Sequence, residues 1–395
     1  MTLHAPGSEP DACALVAEAA SARTPLALVG GGTKSEMGRP AQSQATLSSA
    51  GLRGVTLYEP AEMVVSARAG TPLAEVVRTL AEKNQELPFE PMDHRPLLGS
   101  TGEPTIGAVA AANISGPRRI MAGAARDALI GVRFVNGRGE LIKSGGRVMK
   151  NVTGLDLVKL MAGSWGTLGF LTEVTFKVLP KAERVATLVL TGLEDAPAVQ
   201  ALALALGSPF EVTGAAHLPA ALGEAGGRTL VRIEGFSTSV DYRLGELRRL
   251  LKRFGGGEIM DGEAAVALWR EVRDVQPLVE PRDRAVWRVS TAPTKGPEVM
   301  ARVARGLEAR WYYDWGGGLV WIATDAARDA GAATIRAAVA QAGGHATLVR
   351  APAEVRAAVA VFEPLSEPLM RVTTGIKASL DPAGIFNPGR MYAGV

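Results

Sequence analysis

Three groups of residues have types and spacing that could do chemistry. The first is the run Val-Gly-Gly-Gly-Thr-Lys-Ser-Glu-Met-Gly at 29–38. Glycine tolerates φ > 0 at little steric cost, so Gly30, Gly31 and Gly32 can curl their N–H groups into a concave nest for an anion. Thr33, Lys34 and Ser35 add two hydroxyls and an ammonium group, which is the donor set a nucleotide diphosphate needs. The run is neither the G-x-G-x-x-G of a dinucleotide fold nor the phosphate loop G-x-x-x-x-G-K-S/T, and a triple glycine also serves as a plain turn. The second group is Arg118-Arg119, which can clamp a carboxylate, neutralise phosphates or pair with an acid such as Asp127. The third is the histidines, the usual bases for taking a hydroxyl proton. There are only four, His4, His94, His217 and His345, far apart in sequence, so each reads as a surface or turn residue. His94, in the loop 91–96, is the best placed as a base. Lys150-Asn151 either binds a ligand or braces a turn.

These groups sit between short elements. Ser8 before Glu9, Pro10 and Asp11 predicts a helix N-terminus running to about 22, and the apolar stretch 26–29 predicts a strand feeding the glycine bend. Strands are predicted at 55–58 and 63–67, and a helix follows Thr71-Pro72. Thr105 is placed to cap a helix of small residues, 106–112, flat enough for a planar group or for close helix packing. Asn136-Gly137 predicts a hairpin, and 163–169 forms a third glycine-rich turn before a strand at 170–179. From about 184 longer strands and helices alternate, as in an α+β layer on one antiparallel sheet. The aromatic hairpin at 311–322 belongs either to a core or to a partner-docking surface.

At 395 residues the chain exceeds the ~250–300 at which one core usually divides, so two domains are expected. Its 47% hydrophobic and 21% charged content is that of a globular protein, with no apolar run of the ~18 residues that span a bilayer. Acidic Glu9, Asp11 and Glu18 fall where a signal peptide is apolar, which predicts a cytoplasmic start. A net charge of +3 and the absence of any Lys/Arg block argue against a nucleic-acid surface. The single cysteine, Cys13, excludes an internal disulfide and a cysteine-ligated iron–sulfur cluster, and no metal site is expected.

Taken in order, 29–38, 104–119, 125–140, 145–169 and 381–390 resemble the vanillyl-alcohol-oxidase-type (PCMH-type) flavoproteins. Within them the chain is similar to the small FAD-binding subunits of bacterial glycolate oxidases, chiefly through Ser115-Gly-Pro-Arg-Arg119, Arg126-Asp127 and 148–152. The resemblance implies an α+β fold: a PCMH-type FAD-binding domain of two α+β subdomains over 1–183, an antiparallel-sheet α+β cap domain over 184–365, and a tail, 366–395, returning to the FAD domain. It implies that Gly30, Gly31, Gly32, Thr33, Lys34 and Ser35 hold the pyrophosphate, and that Thr105, Ile106 and Gly107 sit by the ribityl chain and flavin. Gly163, Gly166, Thr167 and Leu168 would lie near adenine or pyrophosphate, with Asn113, Gly116, Arg126 and Asp127 also counted as cofactor-binding. Relatives that attach FAD covalently carry a histidine where Thr33 stands, so the FAD here is expected to be non-covalent. Gly107-Ala108 replaces the commoner double glycine.

The activity so implied is that of a complex oxidising glycolate to glyoxylate, with electrons passing through flavin to an iron–sulfur subunit. The implied partners are that subunit, a larger FAD-containing catalytic subunit and a small 2-hydroxy acid substrate; the implied location is cytoplasmic, peripheral at the inner membrane through those partners. Catalytic relatives resemble one another in an H-x-x-x-x-G-N-x-H cap motif that this chain lacks, so no catalytic residue is assigned. Two alternatives stand: a stand-alone FAD-dependent 2-hydroxy acid dehydrogenase using His94 or Tyr312 as base, and a structural subunit with a vestigial flavin site.

Overall fold

In a computed structural model that describes residues 2–146, 155–222 and 226–395, Ser8 opens the first helix, Glu9–Ala22. Its hydroxyl accepts the Asp11 N–H at 3.2 Å, and Pro10 occupies a first-turn site where no donor is needed. The chain folds as two compact units: Met1–Ser115 with Gly123–Lys181 and Pro364–Val395, and Gly116–Ala122 with Ala182–Glu363.

The first unit carries two main sheets. Thr2–His4, Ala45–Ser48 and Leu26–Val29 lie side by side as a parallel three-stranded sheet. Val55–Glu59, Val64–Arg68, Phe170–Lys177, Leu129–Val135 and Leu141–Gly145 form, in that order, an antiparallel five-stranded sheet. Glu9 ties the first helix to this sheet: its carboxylate accepts from Arg133 at 2.8 and 2.5 Å and from the Thr172 hydroxyl at 2.7 Å, with Arg68 at 3.2 Å. The Arg133 hydrogen bonds outweigh burial and hold the Glu9 carboxyl below its usual range.

The expected hairpin pairs Leu129–Val135 with Leu141–Gly145, but the left-handed residue is Gly139, at φ 79°, rather than Gly137. Asn136 shapes the turn with its side chain, whose Oδ1 accepts the Arg138 and Glu140 N–H groups. Gly137 is small for another reason: a Cβ there would lie 2.5 Å from Asp381 Oδ1.

The second unit is an eight-stranded antiparallel sheet with helices on both faces. Its order is Glu258–Asp261, Arg184–Thr191, Arg228–Gly235, Gly214–Leu218, Ala309–Asp314, Leu319–Asp325, Arg284–Ser290 and His345–Arg350. Strand alternation sends Leu188, Val231, Trp287, Val289 and Ile322 to a face covered by Asp195–Leu206, Ser237–Leu250, Gly296–Val303 and Ala332–Ala342. On the other face Gly262–Arg273 packs through Trp269, whose Nε1 donates to Thr187 Oγ1 at 2.8 Å. Tyr312, Tyr313, Trp315 and Trp321 are buried and Trp311 is half-buried, so the aromatic hairpin belongs mainly to the core.

Candidate functional site

The Leu26–Val29 strand releases the chain into Gly30–Gly32, which line a cleft in the first unit. The three glycines serve different ends. Only Gly32 has positive φ, at 79°. Gly30 and Gly31 allow close approach: a Cβ on Gly30 would stand 2.2 Å from Thr105 Oγ1, and one on Gly31 1.8 Å from the Glu103 carbonyl oxygen. The nest anticipated across all three is therefore a single left-handed residue preceded by two that are small for packing.

Lys34 lines the cleft with its neighbours Thr33 and Ser35. Its side chain is buried, and Nζ donates to Thr33 Oγ1 at 3.3 Å. Burial pushes the ammonium down to about 8 from 10.5, Asp93 opposing the shift and Arg390 adding to it. Burial alone would raise the Asp93 carboxyl, but hydrogen bonds from Arg95 prevail and hold it below its usual range.

The helix Ile106–Ala112 turns Gly107, Ala108, Ala111 and Ala112 to the cleft, a strip without bulk against which a planar ring can lie. Gly107 also packs tightly on the neighbouring chain segment, since a Cβ there would meet the one on Ala69 at 2.6 Å. Thr105 stands at the N-cap, yet its hydroxyl makes no capping bond and is buried without a hydrogen-bond partner, close against Gly30. Trp165 and Gly166 come in from the third glycine-rich turn, with Phe170 and Leu171 beyond.

Of the residues anticipated from sequence, the cleft thus gathers Gly30, Gly31, Gly32, Thr33, Lys34, Ser35, Gly107 and Gly166. The others do not line it. Thr105 and Ile106 are buried beneath it; Asn113 ends the small-residue helix at φ 50° and accepts the Arg126 N–H with Oδ1. Arg126 and Asp127 are exposed, the latter accepting from the Ala124 N–H at 2.8 Å. Gly163 takes φ 83°, the Thr167 hydroxyl donates to the Ser164 carbonyl, and Leu168 is buried. Gly116 belongs to the second unit, where its carbonyl accepts the Trp315 indole N–H at 3.1 Å. Lys150-Asn151 and 148–152 lie outside the described residues.

Among the lining residues not individually assigned from sequence are Trp165 and Arg390. Arg390 arrives from the C-terminal stretch, donates to the Lys34 carbonyl at 2.9 Å and holds its guanidinium 5.9 Å from the Trp165 ring. Asn387 fastens that stretch, accepting from Leu28 N–H and donating to the Trp165 carbonyl. An Asn-Pro-Gly-Arg sequence in a turn-rich tail was the available signal.

None of the histidines lines the cleft. His94 is buried at the start of the short helix Arg95–Leu98. His217 is fully enclosed, with Nδ1 3.0 Å from the Thr229 hydroxyl and Nε2 3.5 Å from Asp195. Tyr312 is sealed in the core, its hydroxyl donating to the Val272 carbonyl and burial pushing it well above its usual value, which removes it as a base.

The site fits a diphosphate-bearing cofactor with a flat ring: a buried ammonium and two hydroxyls at a glycine bend, continuous with a wall of small residues. Residues 3–145 match the family described as FAD binding domain. Over 378 residues the chain is 36% identical to "Glycolate oxidase subunit GlcE" of Escherichia coli (strain K12), covering 96% of this chain and 95% of that protein. A shorter match, 33% over 127 residues, joins 32% of this chain to 26% of "Glycolate oxidase subunit GlcD" of Bacillus subtilis (strain 168). Among solved structures p-cresol methylhydroxylase with substrate bound aligns at a TM-score of 0.73 and 14% identity, over 99% of this chain and 88% of that one. The fold is of the PCMH type, and the sequence relatives make the chain an FAD-linked oxidoreductase with FAD as its cofactor. The chain belongs to the family of the glycolate oxidase subunit GlcE. Among the described residues no helix is long and apolar enough to cross a membrane.

Proposed function

We propose that this chain holds FAD non-covalently in the Gly30–Ser35 cleft and acts as the FAD-binding subunit of a complex that oxidises glycolate to glyoxylate. On this reading the first unit is the FAD domain and the second the cap. The observation that carries it is the Lys34 ammonium, buried beside the glycine bend at a free-energy cost that a diphosphate would offset. Gly32, Thr33, Lys34 and Ser35 bind the pyrophosphate, the Gly107–Ala112 strip receives the ring system, and Phe170 and Leu171 keep water away. Among the described residues no histidine, cysteine or tyrosine lines the cleft to form a flavin bond, which supports a dissociable cofactor. When bound, FAD supplies a two-electron acceptor. Electrons leave through an iron–sulfur subunit, and a larger flavin subunit of the GlcD kind completes a cytoplasmic complex that reaches the inner membrane through its partners.

The test is to purify the chain alone and with its partners, measure released FAD per chain, and assay glycolate with an artificial acceptor. FAD near one per chain with turnover only in the complex is the expected result. A chain without affinity for FAD overturns the reading, and robust turnover by the chain alone favours the stand-alone dehydrogenase.

A further inference from the structure

On the second unit's sheet, Trp287 and Val289 point into the helix-covered core, so Arg288 between them projects from the opposite face, level with Trp321 on the adjoining strand. Beside it stands Trp315, whose ring lies 5.0 Å from the Arg288 guanidinium carbon and 4.7 Å from that of Arg119. Trp315 is held fast there: its backbone N–H donates to Asp314 at 2.7 Å, its indole N–H donates to the Gly116 carbonyl at 3.1 Å, and its φ is 51°. A bulky residue in that conformation persists only where its surroundings impose it.

The arginines of this face are not equivalent. Arg118 and Arg232 meet Glu234 at 3.3 and 3.5 Å. Arg288 makes no hydrogen bond and no ion pair among the described residues, although it is half-buried and a guanidinium carries five N–H donors. Burial, with Arg119 nearby and against the pull of Asp314, brings it down to about 10, so it is still charged at neutral pH. His345, at the exposed edge of the same face, is held below its usual value by partial burial and by Arg288 and Arg119, with Glu363 opposing. Asp314 is the carboxylate that pulls against burial at Arg288, and the idle donors of Arg288 stand beside the indole of Trp315.

We infer that Arg119 and Arg288, positioned over Trp315, form a binding site for the carboxylate of a small 2-hydroxy or 2-oxo acid. A carboxylate accepts two parallel N–H bonds from a guanidinium fork, and the indole covers the short carbon skeleton. The choice of acid rests on the function proposed above; the site itself rests on the cluster.

The test is titration of the FAD-loaded full-length chain with glycolate and glyoxylate, followed by tryptophan fluorescence and calorimetry, with chloride and phosphate at matched ionic strength as controls. Wild type is expected to saturate with the organic acids, and Arg288→Met to weaken them at least tenfold with flavin content unchanged. Arg288→Lys, which keeps the charge and loses the fork, should fall between and guards against a folding defect in the first variant. Glycolate binding unchanged in both variants overturns the site; phosphate or chloride binding as tightly as glycolate overturns its assignment to carboxylates. Carboxylate binding that depends on Arg288 in a complex without glycolate turnover supports the site and counts against the proposed function alone.

Discussion

Replacing Lys34 by methionine should stabilise the cofactor-free protein while weakening its grip on FAD. In the free fold the ammonium is about nine-tenths buried, with 8% of its surface exposed, and its pKa falls from 10.5 to about 8. That difference corresponds to roughly 3 kcal/mol against the charged form. Because the folded value is depressed, the penalty is complete below about pH 8 and disappears as pH rises from there towards 10.5. Methionine fills similar space without charge, so the variant should gain about 2–3 kcal/mol near pH 7 and lose that advantage in alkali. With FAD the sign reverses. A diphosphate beside the ammonium raises its pKa, so wild-type affinity is full below about pH 8 and declines above it, by up to about tenfold per pH unit. The variant forfeits a charged hydrogen bond of about 1.5–3 kcal/mol, or roughly 10- to 150-fold in Kd, together with the pH dependence. Thermal melts of the apo form across pH, paired with flavin-fluorescence titrations, measure both halves. An apo form destabilised near neutrality, or an FAD affinity whose value and pH slope survive the substitution, would refute the reasoning.

Two further outcomes follow from local geometry. Gly31→Ala should cost about 3 kcal/mol or more in urea unfolding, because its Cβ meets a backbone oxygen at 1.8 Å, whereas Gly32→Ala, strained only by its φ of 79°, should cost about 1–2; equal midpoints for the two would contradict this. Glu9→Gln should lose about 1.5–3 kcal/mol at neutral pH and flatten the acid limb of the melting curve. The Glu9 carboxyl sits below 4.5, so its contribution is present above that pH and is lost as pH falls through the folded value; a variant that melts like wild type at both ends would count against it.

How far the sequence could be read depended on whether the signal was local. The Ser8–Pro10 helix start, the strand Leu26–Val29 and the helix Ile106–Ala112 form where their local residues predict, although the Thr105 hydroxyl does not cap the last of these. The strand Gly214–Leu218 was illegible because Gly-Ala-Ala-His-Leu has little strand propensity; its place is fixed by pairing with Arg228–Gly235 and by Trp269 lying on Gly214. The same holds at the site. The donors Thr33, Lys34 and Ser35 are adjacent in sequence and could be read directly, whereas Arg390 reaches Lys34 across a separation of 356 residues, which no local pattern encodes. Arg118-Arg119 reads as one clamp, yet Arg118 precedes and Arg119 opens the short helix Arg119–Ala122, and the two point apart: one meets Glu234 and the other Trp315.

The triple glycine has two physical reasons to be glycine, and they fall on different residues. Gly31 and Gly102 stand back to back: a Cβ on Gly31 would strike the Glu103 carbonyl, and one on Gly102 would lie 1.7 Å from the Gly31 carbonyl. The segments 30–32 and 102–105 therefore pack backbone to backbone, which brings the Thr105 hydroxyl and the small-residue helix behind it up to the bend. Packing is thus what shapes the anion-binding end of the cleft, so alanine at Gly30 or Gly31 removes fold and cofactor together and cannot separate them. The side chains that can separate them are Lys34, whose charge burdens the free protein, and Thr33, whose hydroxyl is its hydrogen-bonded neighbour. Residues selected for stability alone would not leave an ammonium buried on one hydroxyl beside a polar bend; residues selected to receive an anion would.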